Sequence, residues 1–226
     1  YHLNMRVERI LPNDLLDIAS ENNLRGVKIH VLDGERYSLE NMNDEALSAF
    51  GDKARQLQLD LHIETSSSDK KAIDQAVAIA LKTGASSVRF YPRYEGNLQE
   101  VLAIITQDIK YLRDCYQDSG LTFTLEQHED LKSHELVSLV QNSDMESLSL
   151  LFDFANMINA NEHPLTALDT MSPHITQVHI KDALIVNENA GLGHKACTSG
   201  QGDMPFKDLL TKLICLGDEK PQVTAY

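Results

Sequence analysis

The sequence lacks any apolar run approaching 18 residues, so nothing in it reads as a membrane-spanning helix. It opens YHLNMRVERI, with neither the apolar core of a secretory signal nor a start methionine. Cysteine is scarce: Cys115, Cys197 and Cys215 are odd in number and scattered, which argues against a disulfide scaffold and for a reducing cytoplasm. Basic residues are in deficit too. With 20 Lys+Arg against 34 Asp+Glu the formal net charge is −14, a field that repels nucleic acid and anionic membrane surfaces alike. What remains is a globular composition, 42% apolar and 24% charged over 226 residues, enough for a single domain spanning 1–226 with a sizeable core.

Short β-branched or apolar runs alternate with longer stretches of helical period. The strand candidates are GVKIHV (26–31), LDLHIE (59–64), SSVRFY (86–91), LTFTLEQ (121–127), SLSLLFDF (147–154), TQVHIK (176–181) and, at the very end, PQVTAY (221–226). The helical stretches carry their own punctuation. Pro12 to Leu24 carries apolar Leu15, Leu16, Ile18 and Ala19. Asn43 is a cap for DEALSAFGDKARQLQ, and Ser68 for DKKAIDQAVAIALKT, which stops at Gly84. Asn97 begins a helix that stops at Gly120, Ser133 opens HELVSLVQN, and Asp203 opens MPFKDLLTKLICLG.

Strand followed by helix, repeated, specifies right-handed βαβ units and a parallel sheet. Mid-strand positions 28, 61, 89, 124, 152 and 179 recur every 27 to 35 residues, the rhythm of a (β/α)8 TIM barrel, a fold of about 250 residues. An open doubly wound sheet would carry a Gly-rich first turn, and there is none. The expected fold class is therefore α/β, a TIM barrel trimmed at both ends. Its first strand falls at or before Tyr1, and its eighth has barely begun at Tyr226.

Side chains alternate faces along a strand. One parity is consistently apolar, as in Val27, Ile29 and Val31 or Leu148, Leu150, Phe152 and Phe154, and should face the helices. The other parity turns polar near the C-terminal end of nearly every strand: Lys28 and His30, His62 and Glu64, Arg89 and Tyr91, Glu126 and His128, Asp153, His179 and Lys181. In a closed barrel this parity points inward, at the end where active sites form. Interior carboxylates and imidazoles at that density cost several kcal/mol unless paired or ligated. A metal ion would satisfy them together. Glu126, Asp153 and His179 end three consecutive strands and make a mixed oxygen and nitrogen set suited to Mn, Mg, Co or Zn.

LEQHED (125–130), LFDFAN (151–156) and VHIKD (178–182) resemble the xylose isomerase-like TIM barrels, the sugar phosphate isomerase/epimerase family. The resemblance runs from GVKIH to GQGDMPFKDLL. It implies one divalent metal held by Glu126, Asp153 and His179, with a fourth ligand, a Glu, expected two residues past Tyr226. The implied reaction is proton transfer next to a carbonyl through an enediolate, with carboxylates as base and acid. Glu126 is the candidate base. Lys181 would stabilise the oxyanion or act as an acid, or else form a salt bridge to a neighbouring carboxylate. His62 and His128 read as contacts to substrate hydroxyls or partners of the ligands. Arg89 would pair with a substrate carboxylate or phosphate, or bridge to Glu64. The implied partner is a small sugar or sugar acid, with no nucleic acid or membrane and with homo-oligomerisation left open. The Gly-bearing stretch LIVNENAGLGHKACTSGQGD (184–203) is long for a βα turn and reads as a lid; no GK[ST] follows its glycines, so it is not a P-loop.

Other outcomes stay open on the same barrel. Decarboxylation of a 3-oxo sugar acid, or dehydration of a keto-inositol, passes through the same intermediate. The three-zinc endonucleases of the superfamily need a histidine where this chain has Asn156, and the acidic charge opposes DNA. A non-catalytic binding barrel would have little use for three intact ligand positions.

Overall fold

A computed structural model describes residues 10–128, 131–189, 191–219 and 223–225. The chain divides into two compact units, Tyr1–Phe123 and Thr124–Tyr226. In the first, helix α1 (Pro12–Glu21) precedes strand β1 (Gly26–His30), and α2 (Asp44–Gln56), β2 (Asp60–Glu64), α3 (Lys70–Thr83), β3 (Ser87–Phe90) and α4 (Leu98–Tyr116) follow in strict alternation. Strand β4 (Thr122–Glu126) starts here, its Thr122 amide donating to the Ser86 carbonyl at 3.1 Å. The strands are parallel. Lys28 stands beside His62, and Glu64 beside both His30 and Arg89. The apolar parity is buried as expected: Ile29, Leu61, Ile63, Val88 and Phe90 are all nearly inaccessible and share the core with Leu16, Phe50, Ile73 and Ile105.

Side-chain caps start α2, α3 and α4, and in this unit one of the three differs from expectation. Asn43 and Asn97 cap α2 and α4 by accepting from the amides of Ala46 and Glu100. For α3 the cap is Asp69, not Ser68, with Asp69 Oδ1 accepting from the Ala72 amide at 3.0 Å. Both residues are good caps; Ser68 is drawn instead into the interior, where its hydroxyl donates to Asp108 at 2.7 Å. Gly84 ends α3 in the left-handed conformation at φ 72°. Where α2 crosses α3, a Cβ on Gly51 would lie 2.1 Å from the Thr83 carbonyl oxygen, so only glycine allows the approach.

The second unit holds the end of β4, then α5 (Ser133–Gln141), β5 (Leu148–Asp153), α6 (Pro164–Met171), β6 (Ile175–His179), the antiparallel hairpin β7 (Asp182–Glu188) and β8 (Gly191–Cys197), α7 (Phe206–Glu219) and β9 (Thr224–Ala225). Strands β5, β6 and β9 are parallel, with Asp153 opposite His179 and a register shift between Leu150 and Leu151. The Gln127 amide donates to the Leu151 carbonyl at 3.3 Å, which sets the end of β4 beside β5. Ser133 is the first residue of α5 rather than its cap; its hydroxyl and amide both donate to Glu162, a carboxylate from beyond β5 that serves the helix N-terminus. Asp203 does not cap α7, which begins after Pro205; it accepts from the Ile185 amide instead. Helix α6 has no counterpart in the sequence reading, and the stretch read as a lid is largely the hairpin. Of the terminal strand candidate, Thr224 and Ala225 pair with β6, while Pro221, Gln222 and Tyr226 lie outside the described residues, as do Glu129 and Asp130. Among the described residues no helix is long and apolar enough to cross a membrane.

Candidate metal centre

Glu126, Asp153 and His179 are each the last residue of their strands, β4, β5 and β6. All three therefore emerge at the same end of neighbouring parallel strands of the second unit. One ligand atom from each lies within 4.8 Å of the others. His179 Nδ1 is 3.3 Å from Glu126 Oε1 and 3.5 Å from Asp153 Oδ2. The carboxylates are buried, with relative exposures of 3% and 2%. Two anions so placed repel each other and have lost their hydration, a cost that one shared cation removes. One imidazole nitrogen with two carboxylate oxygens is a donor set for Mn, Mg, Co or Zn, and the residues fit such an ion.

Around this set the structure builds a polar frame. Asp153 Oδ1 accepts from the amides of Ala155 and Asn156, at 3.0 and 3.1 Å. Lys181, two residues past the end of β6, brings its Nζ to 3.1 Å from Asp153 Oδ2 and donates to Asn156 Oδ1 at 2.6 Å. Burial pushes the Asp153 carboxyl up. The hydrogen bond from His179, the charges of Lys181 and His179 and the Ala155 amide outweigh burial, so the group sits below its ordinary 3.8 and is anionic at neutral pH. Asn156, known from the sequence only as the residue standing where an endonuclease has histidine, also donates from Nδ2 to the Gln127 carbonyl at 3.0 Å and to Glu126 Oε1 at 3.4 Å.

Next along the chain, Asp182 is buried, and its Oδ2 accepts from the amides of Gly200 and Gly202 at 2.8 and 2.9 Å. A Cβ on Gly202 would meet Asp182 Oδ1 at 2.2 Å, so glycine is required for this clasp. It ties down the base of the β7–β8 hairpin, where Ala183 and Met204 pack with Ala155. Sequence reasoning missed Asn156, Asp182 and Glu162. The glycines of the 184–203 stretch were the signal available for Asp182, because close-packed glycines imply a partner at short range.

The other predicted site residues are placed as follows. His128 is half-buried, two residues beyond Glu126. In the first unit, Arg89 bridges to Glu64, with Nε and a terminal nitrogen 2.9 and 2.8 Å from Oε1, and Lys28 stands 3.7 Å from the same oxygen. The contact with Glu64 is one of the two readings offered for Arg89. His62 is buried with its Nδ1 2.6 Å from Ser87 Oγ. Burial, then the Lys28 charge, lowers its pKa from 6.5 to about 4. Unfolded chains take up this proton near pH 6.5 and folded ones only near 4, so stability is full above that window and is lost as pH falls through it. The shift corresponds to about 3 kcal/mol. Urea unfolding from pH 7 to pH 4 should show His62→Gln losing less stability across the window than the parent chain; parallel curves would remove His62 as the cause.

Parallel strands alternating with helices, with two carboxylates and a histidine at the C-terminal ends of three strands, are the features of an α/β protein with a candidate metal site. The sequence matches the xylose isomerase-like TIM barrel family over residues 16–219, and the chain belongs to that family. It is 82% identical over 226 residues to the uncharacterized protein YihM of Escherichia coli strain K12, covering all of this chain and 69% of YihM. It is 23% identical over 175 residues to the 3-oxo-isoapionate decarboxylase of Pectobacterium atrosepticum, covering 73% of this chain and 62% of that protein. Its fold is similar to a xylose isomerase domain protein of Planctomyces limnophilus, with TM-score 0.76 and 16% identity over 93% of this chain and 83% of that one. A xylose isomerase-like TIM barrel protein of Mycobacterium smegmatis, solved in complex with magnesium, matches with TM-score 0.67 and 15% identity over 91% and 78%. The 3-keto-D-glucoside 4-epimerase of E. coli matches with TM-score 0.66 and 12% identity over 91% and 83%.

Proposed function

We propose that this chain is a divalent-metal-dependent sugar isomerase or epimerase that moves a proton on the carbon next to a substrate carbonyl. The observation that carries this reading is the convergence of Glu126, Asp153 and His179 within 4.8 Å at the ends of three strands. These three residues would hold the ion. When bound, a divalent cation at this set supplies Lewis-acid polarisation of a carbonyl. Glu126 takes the proton through its carboxylate, which is buried and so partly stripped of the water that would weaken it as a base. Lys181 presents a fixed ammonium to oxygen that gains negative charge, and His128 contacts a substrate hydroxyl. The substrate is a small sugar or sugar acid. The chain's likeness in fold to a keto-glucoside epimerase supports the isomerase outcome.

Decarboxylation of a 3-oxo sugar acid is the second reading, favoured by the sequence similarity to 3-oxo-isoapionate decarboxylase. Both outcomes share the ligand set and differ in the bond that breaks. The full chain loaded with Mn2+, Mg2+, Co2+ or Zn2+ should be offered ketoses, keto-inositols and 3-oxo sugar acids, with isomer and CO2 followed together. Turnover of one class, abolished by EDTA and restored by cation, is expected. Turnover that survives chelation would sink the metal assignment.

A further inference from the structure

Asn156 touches more of the centre than its place in a short turn suggests. It is buried, and its backbone amide donates to Asp153 Oδ1 at 3.1 Å. Its side-chain nitrogen donates to the Gln127 carbonyl at 3.0 Å and toward Glu126 at 3.4 Å, and its side-chain oxygen accepts from Lys181 Nζ at 2.6 Å. An amide is the side chain that serves a carboxylate with one end and an ammonium with the other. A carboxylate here would repel Glu126, and a hydrocarbon would hold neither neighbour. Lys181 needs such a hold. Its side chain is 40% exposed, and a long flexible amine that open to water pays rotamer entropy to stay in one geometry.

We infer that Asn156 is a positioning residue, whose amide oxygen fixes the Lys181 ammonium beside Asp153 and so keeps a positive charge at the rim of the ligand cluster. This deepens the proposed function and rests on its metal centre. The physical signature follows from charge. A fixed cation 3.1 Å from a ligand oxygen opposes a divalent ion at that oxygen, and the opposition fades when the ammonium swings into solvent. Asn156 should therefore lower Mn2+ affinity, and do so only through Lys181.

The test is a four-protein cycle on the full chain, with Mn2+ affinity read by electron paramagnetic resonance titration. Lys181→Met should bind Mn2+ about tenfold or more tightly, since the opposing charge is gone. Asn156→Ala should tighten binding about threefold, and should tighten it no further in the Lys181→Met background. Unchanged affinity in Asn156→Ala, or an equal change in both backgrounds, overturns the inference. Should Asn156→Ala not fold, Asn156→Ser, which keeps a hydroxyl in the buried site, takes its place. The same cycle in EDTA, read as thermal unfolding, distinguishes failure of this inference from failure of the metal centre. Asn156→Ala should lower Tm by roughly 2–6 °C, and by less once Lys181 is Met. Wild-type protein that binds no Mn2+ removes the metal centre and the affinity effect with it. In that event equal Tm losses in both backgrounds would show that Asn156 does not hold Lys181 either.

Discussion

Glu126→Gln is expected to slow solvent deuterium exchange at the carbon next to the substrate carbonyl by about 10²–10⁴-fold, the usual contribution of a positioned base. The amide keeps an oxygen where Glu126 Oε1 stands, 3.3 Å from His179 Nδ1, so metal occupancy should fall far less than exchange. It also keeps nearly the same shape in a site that is 3% exposed, so the protein should fold. What the substitution removes is the capacity to accept a proton at neutral pH. A decarboxylase behaves differently under the same change. Breaking a carbon–carbon bond needs no base to start it, so CO2 release should be spared more than exchange. Following both signals on one variant separates the leading reading from the second. An unchanged exchange rate would take Glu126 out of proton transfer altogether.

Asp153→Ala is expected to lose Mn2+ binding by about 100-fold or more, since even indirect partners of metal ligands cost 10–100-fold when removed. Stability should suffer as well. Asp153 holds the Ala155 and Asn156 amides with one oxygen and faces His179 and Lys181 with the other. Its loss leaves buried donors and a cation without their acceptor, at about 3–5 kcal/mol. Asp153→Asn divides these roles. The amide oxygen still accepts from both backbone amides, so unfolding should return most of the way to wild type, while Mn2+ binding stays weak because the charge is gone. Normal Mn2+ affinity in Asp153→Asn would mean that the ligand set has been misassigned. The carboxylate's depressed pKa adds a pH signature: its stabilisation is present above 3.8 and is lost as pH falls through the lower folded value.

Repetition and alternation were enough to read the βαβ architecture and the three candidate ligands at strand ends in the sequence. Both are local rules: a strand has a period of two whatever surrounds it, and an inward polar residue at each strand end stands out against apolar neighbours. Glu126, Asp153 and His179 were legible because each sits where that alternation places it. Helix α6 escaped the same rules because Pro164–Met171 is two turns long, too short for a helical period to declare itself. The hairpin escaped because beyond Ala183 its strands are mostly exposed and so carry no alternating burial pattern. Partnerships between distant residues were legible only as alternatives, such as a bridge from Arg89 to Glu64 or from Lys181 to a nearby carboxylate, or not at all. That Arg89 would reach Glu64, whether Ser68 or Asp69 would cap α3, and that Glu162 would serve the start of α5 depended on which groups the folded chain carries into reach. Asn156 is the clearest case. Its residue type is visible in LFDFAN, but its role exists only because β4, β5 and the segment after β6 end at one place, and hydrogen bonds form over distances near 3 Å that no spacing along the chain encodes.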